Sequence, residues 1–88
     1  MIEREATIVN HEGLHARPAA KIVRLASAFD SEIELLKDGL AVNGKSIMGV
    51  MMLAAECGSS IVVRADGPDA EQAVEAITRL VAGGFGEA

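Results

Sequence analysis

The chain has no tryptophan, no tyrosine, two phenylalanines, one cysteine and two prolines in its 88 residues. Two aromatic rings offer few platforms for stacking bases, and a net charge of -5 opposes contact with a phosphate backbone, so no nucleic-acid partner is expected. The single cysteine, Cys57, cannot close an internal disulfide, which fits a reducing compartment. No stretch of ~20 apolar residues is available to cross a bilayer. The opening MIEREATIV places charges where a signal peptide needs an apolar run. These absences lead us to expect a cytoplasmic protein that does not insert into a membrane.

What the sequence does have is apolar side chains, at 50% of positions, enough to build a core. A chain this short buries only ~60 to 65% of its unfolded surface, which leaves little material for a substrate cleft. There is no repeat, linker or low-complexity tract, and residues 1–88 read as a single domain. Residues 2–9 alternate, with Ile2, Ala6 and Ile8 on one side and Glu3, Glu5 and Thr7 on the other, as in a half-buried strand. Asn10 to Gly13 break the pattern. From Pro18 the apolar positions Ala19, Ile22, Val23, Ala26 and Phe29 follow a helical stripe, with the helix boundary somewhere in 15–18. EIELLK alternates again with Ile33 and Leu35 inward, and Asp38-Gly39 suits a tight hairpin turn into LAVN.

Ser46 stands where an N-cap belongs, before a short apolar helix that Gly58 can terminate. SSIVVRA is a fourth strand. Pro68 is expected to open the last helix, with Asp69 and Glu71 in its first turn and Ala70, Ala73, Val74, Ile77, Leu80 and Val81 as its buried stripe; Gly83-Gly84 closes it. The order β-α-β-β-α-β-α predicts an α+β fold, a four-stranded, largely antiparallel sheet with the helices on one face.

Two chemistries compete for NHEGLHARPAA. His11-Glu12-Gly13-Leu14-His15 matches the H-E-x-x-H zinc signature, but that motif works on a continuous helix. Here the segment follows a strand, contains Gly13 and precedes Pro18. A third ligand is also wanting, because Cys57 lies beyond a separate helix. Neither a metal nor a cofactor is expected. The other chemistry belongs to His15 alone. A neutral imidazole is a nucleophile, and the N-terminus of a helix, with roughly half a positive charge and free N–H groups, favours an anion attached beside it. Arg17 adds a guanidinium that can bridge two phosphate oxygens. The bland alternative makes His15 a capping or exposed loop residue, and His11 is read as an ordinary loop residue.

Arg17, Lys21 and Arg24 recur at helical spacing with no acid between residues 13 and 29, a local basic stripe in an acidic protein. It is either a solvated helix face or a surface for acidic partners. Ile47, Met48, Val50, Met51, Met52 and Leu53 make the second helix apolar nearly all round. One side belongs to the core, and the other is either covered by a loop or left open as an adaptable docking patch.

GLHARPAA, KSIMGVMML and the β-α-β-β-α-β-α order together resemble the HPr family, the histidine-containing phosphocarriers of the bacterial phosphoenolpyruvate-dependent sugar phosphotransferase system. The resemblance covers essentially the whole chain. It implies an open-faced β-sandwich and a carrier that is not itself an enzyme. His15 would accept a phosphoryl group on Nδ1 from phospho-enzyme I and pass it to the IIA domains of sugar permeases, with Arg17 steadying the phosphate. Ser46 would be the regulatory serine of HPr kinase/phosphorylase, and Ala20, Lys21, Arg24, Ile47, Met48 and Met51 the docking surface of a monomer. Glu12 departs from the small or uncharged residue more usual there. The GGFGEA tail resembles the nitrogen-branch paralogue, a regulatory phosphocarrier that does not serve sugar uptake, and this is the alternative function.

Overall fold

Each alternating segment becomes a strand and each helical stripe a helix, with shifts at the ends that long-range contacts explain. The computed structural model describes residues 1–87, and Ala88, the last residue of the tail, lies outside them. The elements are β1 (Ile2–Thr7), α1 (Ala16–Ala26), β2 (Glu32–Lys37), β3 (Leu40–Asn43), α2 (Ile47–Met52), β4 (Ser60–Asp66) and α3 (Ala70–Ala82), followed by a 3-10 turn at Gly84–Gly86. The sheet has the order β1-β4-β2-β3 and is antiparallel throughout. Asp38 and Gly39 both adopt positive φ, the geometry of the two-residue hairpin expected between β2 and β3.

Ala6, Ile33, Leu35, Ile61, Val63 and Ala65 line the covered face of the sheet, and Ile22 from α1 with Val74, Ile77 and Val81 from α3 close the core over it. Each such Val, Leu or Ile contributes roughly 1.5 to 3 kcal/mol by leaving water. The other face is open. There Arg64 lies between its register partners Glu3 on β1 and Glu34 on β2, 2.7 and 3.2 Å from their carboxylates. Among the described residues no helix is long and apolar enough to cross a membrane.

Of four helix boundaries, the start of α1 and the end of α3 fall where expected, whereas the end of α2 and the start of α3 do not. The first helix begins at Ala16, so Arg17 is helical although a proline follows it. Pro18 falls in the first turn, where its missing N–H breaks no helical hydrogen bond. The second helix ends at Met52, and Ala54, with φ of 49°, turns the chain; Gly58 instead donates its N–H to the carbonyl of Ile8, 2.7 Å away, continuing the β1–β4 pairing. Gly83 caps α3 without positive φ, and the left-handed residues come next, at Gly84 and Phe85.

The fourth is the start of α3. Pro68 lies outside the helix and Asp69 is its N-cap residue, yet the Asp69 side chain does not cap. It accepts hydrogen bonds from the backbone N–H groups of Asp30 and Ser31, both at 2.9 Å, and from the Ser31 hydroxyl, tying the α1–β2 loop to α3. The Ser31 hydroxyl and these backbone N–H groups hold the Asp69 carboxyl below its ordinary range, against the opposing effect of desolvation. A depressed folded-state value means that the unfolded chain binds the extra proton. The contribution is therefore complete above the ordinary aspartate range, near ~4, and is lost as pH falls through the lower folded value. Asp69→Asn should melt at lower temperature than the parent chain at pH 7, and thermal melts between pH 7 and 3 should show that gap closing as the acid limit is approached. A gap independent of pH would contradict the assignment.

Candidate functional site

His15 is the N-cap residue of α1, with extended backbone (φ -78°, ψ -172°). Its carbonyl accepts the first helical hydrogen bond, from Ala19 at 3.0 Å, but its ring takes no part in capping. The N–H groups of Ala16 and Arg17 have no acceptor among the described residues, and Pro18 has no N–H to offer. Two backbone donors with the positive end of an 11-residue helix thus stand beside the imidazole, the setting in which an anion binds.

The loop that delivers His15 is seated from both sides. Leu14 is buried in the core, and its N–H donates to the carbonyl of Ala55, just after α2, at 2.8 Å. Gly13 adopts φ of +70°, and a Cβ there would lie 2.5 Å from the Ala55 oxygen and 2.9 Å from the Glu56 Cα. Only glycine lets the two backbones approach this closely. Residues 11–15 are turn and coil, so His11 and His15 do not share a helical face, and His11 is exposed. Among the described residues no group of three or more His, Cys, Asp or Glu side chains is placed to hold a metal ion.

The tail completes the site. Phe85, only 2% exposed, anchors the turn after α3, and its carbonyl accepts from Lys21 Nζ at 2.6 Å. This brings Glu87 onto the imidazole, with both carboxylate oxygens 3.4 Å from His15 Nε2. The buried Asn10 amide donates to Glu87 Oε1 at 3.2 Å and to the Gly13 carbonyl at 2.8 Å, joining loop and tail. Partial burial works against ionising Glu87, but hydrogen bonds from His15 and Asn10, the charge of the His15 ring when it is protonated and the positive charge of Lys21 outweigh it and hold the carboxyl below its ordinary range. None of Asn10, Phe85 and Glu87 stood out in the sequence. The one available signal was a large apolar residue between glycines in GGFG, the mark of a buried anchor on a turn.

The basic stripe is thereby divided. Arg17 and Arg24 are exposed, Ala20 is half-buried, and Lys21 is committed to the tail. Beside α1 packs α2, which buries Val50 and leaves Ile47, Met48, Met51 and Met52 in solvent, Met48 at 78% exposure. The open alternative for that helix is the one realised. Ser46 caps it as expected, its Oγ accepting from the Gly49 N–H at 3.1 Å. Two surface depressions, around Arg64 and Asp66 and around Arg4 and Arg79, lie away from His15. The site is a half-buried ring with donors beside it at the protein surface, suited to being approached by a partner.

The family model described as the phosphorylation site of the phosphotransferase-system HPr component matches residues 2–83. The chain belongs to the HPr family. Phosphocarrier protein HPr of Cupriavidus necator is 48% identical over 87 residues, which are 99% of this chain and 98% of that protein. The crystal structure of HPr from Thermoanaerobacter tengcongensis superposes with a TM-score of 0.95 at 45% identity, covering 100% of this chain and 99% of the other. An HPr dimer from the same organism gives 0.79 at 46% identity, covering 99% and 100%. The recognised architecture is thus that of the HPr phosphocarriers, proteins that carry a phosphoryl group and are not enzymes in their own right.

For this HPr-family chain the seat of the histidine loop is an exacting steric feature. Gly13→Ala forces a left-handed alanine and a clash with the Ala55 backbone, and should cost about 2 kcal/mol or more in urea unfolding. A loss below about 0.5 kcal/mol would mean that the loop can move without consequence.

Proposed function

We propose that this chain carries a phosphoryl group on His15 Nδ1, taking it from phospho-enzyme I and giving it to the IIA domains of sugar permeases. The observation that carries the reading is the His15 ring, free of capping duty, beside the unpartnered N–H groups of Ala16 and Arg17. Attack by a ring nitrogen forms a phosphoramidate whose oxygens those donors and the exposed Arg17 guanidinium can hold. Each partner supplies the rest of the machinery, so the carrier needs a nucleophile, anion stabilisation and a surface. Ala20, Lys21, Arg24, Ile47, Met48 and Met51 form that surface, apolar at its centre and basic at one edge. We assign the chain as one cytoplasmic domain that works as a monomer, a state that light scattering tests.

The assay is incubation with enzyme I and labelled phosphoenolpyruvate. The parent chain should take up acid-labile label, His15→Ala none, and His11→Ala most of it. An unlabelled parent chain would overturn the reading. Offering the labelled chain to IIA domains of both branches separates sugar transport from the nitrogen-branch alternative.

From the family resemblance we propose Ser46 as the regulatory site for HPr kinase/phosphorylase, and its place as a cap beside the apolar patch sets what a phosphate there would do. As a cap it contributes ~0.5 to 2 kcal/mol, which Ser46→Ala should forfeit with little effect on transfer. An anion at the same place must be desolvated when a partner covers Ile47, Met48 and Met51. Adjacent Lys45 is turned away to the Phe29 carbonyl, at 2.8 Å, and does not neutralise it. Ser46→Asp should fold normally yet transfer more slowly at limiting enzyme I. A rate equal to that of the parent chain under those conditions would reduce Ser46 to a cap.

A further inference from the structure

The Glu87 carboxylate straddles His15 Nε2, and an ionised carboxylate has only lone pairs to present. Its partner nitrogen must therefore carry a proton. A neutral imidazole has one N–H, so a proton on Nε2 leaves the lone pair of Nδ1 bare. A separation of 3.4 Å is longer than an ordinary N–H···O hydrogen bond, and with both oxygens at that distance the attraction is chiefly electrostatic. The carboxylate is well fastened. Asn10 holds one of its oxygens, and the tail that bears it is pinned by buried Phe85 and by Lys21 on the Phe85 carbonyl.

The geometry points to Glu87 as a positioning residue that holds the His15 proton on Nε2, leaves Nδ1 as the nucleophile, and balances the charge that the ring acquires on phosphorylation. This rests on the phosphocarrier reading above. In the forward step the Nδ1 lone pair forms the N–P bond while the bond from phosphorus to the donor breaks, its electron pair returning to the donor. No proton moves. The ring becomes an Nδ1-phosphoimidazolium whose Nε2–H faces the Glu87 carboxylate. In the onward step the N–P bond breaks toward Nδ1, and the ring leaves as neutral imidazole with its proton still on Nε2. Without the carboxylate the phosphorylated ring sheds that proton more readily, and its leaving group becomes an imidazolide anion, a far poorer one. Glu87 thus keeps the carried group transferable.

The charged side chains around the ring are Glu87 from the tail and Lys21 and Arg17 from α1, with His11 and Glu12 exposed in the preceding loop. The test compares the parent chain with Glu87→Ala, which removes acceptor and charge, Glu87→Gln, which keeps an acceptor, and Glu87→Asp, which keeps the charge. The first readout is nitrogen-15 NMR of the unphosphorylated ring above neutral pH. The Nδ1–H tautomer should be scarce in the parent chain and rise about threefold or more in Glu87→Ala. The second is the pH profile of phosphoryl loss after enzyme I treatment, which should move to lower pH by about half a unit or more in Glu87→Gln and return toward the parent profile in Glu87→Asp. Unchanged tautomer populations in Glu87→Ala would overturn the proposal. Because that readout needs no phosphoryl donor, a chain that takes up no phosphate but shows the tautomer shift would sink the carrier reading and leave the Glu87 contact standing.

Discussion

Leu14 is the residue on which the geometry of the site depends. Its side chain is committed to the core and its N–H to Ala55, so the next residue along, His15, inherits a position accurate to the fit of a packed interior. A reactive group on a surface loop ordinarily shares the mobility of that loop. Here the loop is locked one residue before the group that must stay in register with the helix start. The close approach at Gly13 follows from the same demand, because a bulkier residue would lift the loop from the segment after α2 and move the ring away from its donors.

Electrostatics is organised on the same small scale. The protein is acidic, yet the donors around His15 gather positive potential at one point, and Glu87 sits behind the ring on Nε2. In the proposed role the arrangement separates two charges along one side chain, with the phosphoryl group held in front at the helix start and the ring compensated behind. Asp69 shows a carboxylate put to another use, as a clasp between segments 38 residues apart. Asp69 is the N-cap of α3 and Glu87 follows the 3-10 turn beyond it, so the helix ties its N-terminal end to the loop after α1 and its C-terminal tail to the loop before it.

Most of the fold was legible because its signals are periodic. Ile33 and Leu35 alternate, Ala70 to Val81 recur at helical spacing, and Asp38-Gly39 and Ser46 announce a turn and a cap by residue type. His15, Arg17 and the exposed methionines could be picked out by such reasoning as well, since a helix start is a local event. What was illegible is nonlocal. Glu87 meets His15 across 72 residues, and no repeating pattern marks a single contact made by a tail folding back. Asp69 looked like a helix-start acid by position, but its acceptors found stronger use on donors from a loop far away in the chain. The end of α2 misled for a related reason. Gly58 does adopt a left-handed φ of 93°, but only after the helix has ended; the turn that closes α2 falls at Ala54, where the chain bends for Ala55 to reach Leu14.

The Arg64 triad on the open face has a consequence for how the sheet finds its alignment. Exposed ion pairs add little stability, but these two connect the interior strand β4 to neighbours on either side at directly opposed positions. If β4 slid by a single residue, Arg64 would swing to the covered side and Ile61, Val63 and Ala65 would turn to water, with both carboxylates left facing each other's strand without a cation between them. A mispaired sheet is thus penalised on both faces at once. The triad thereby separates the correct alignment from its nearest competitor in energy.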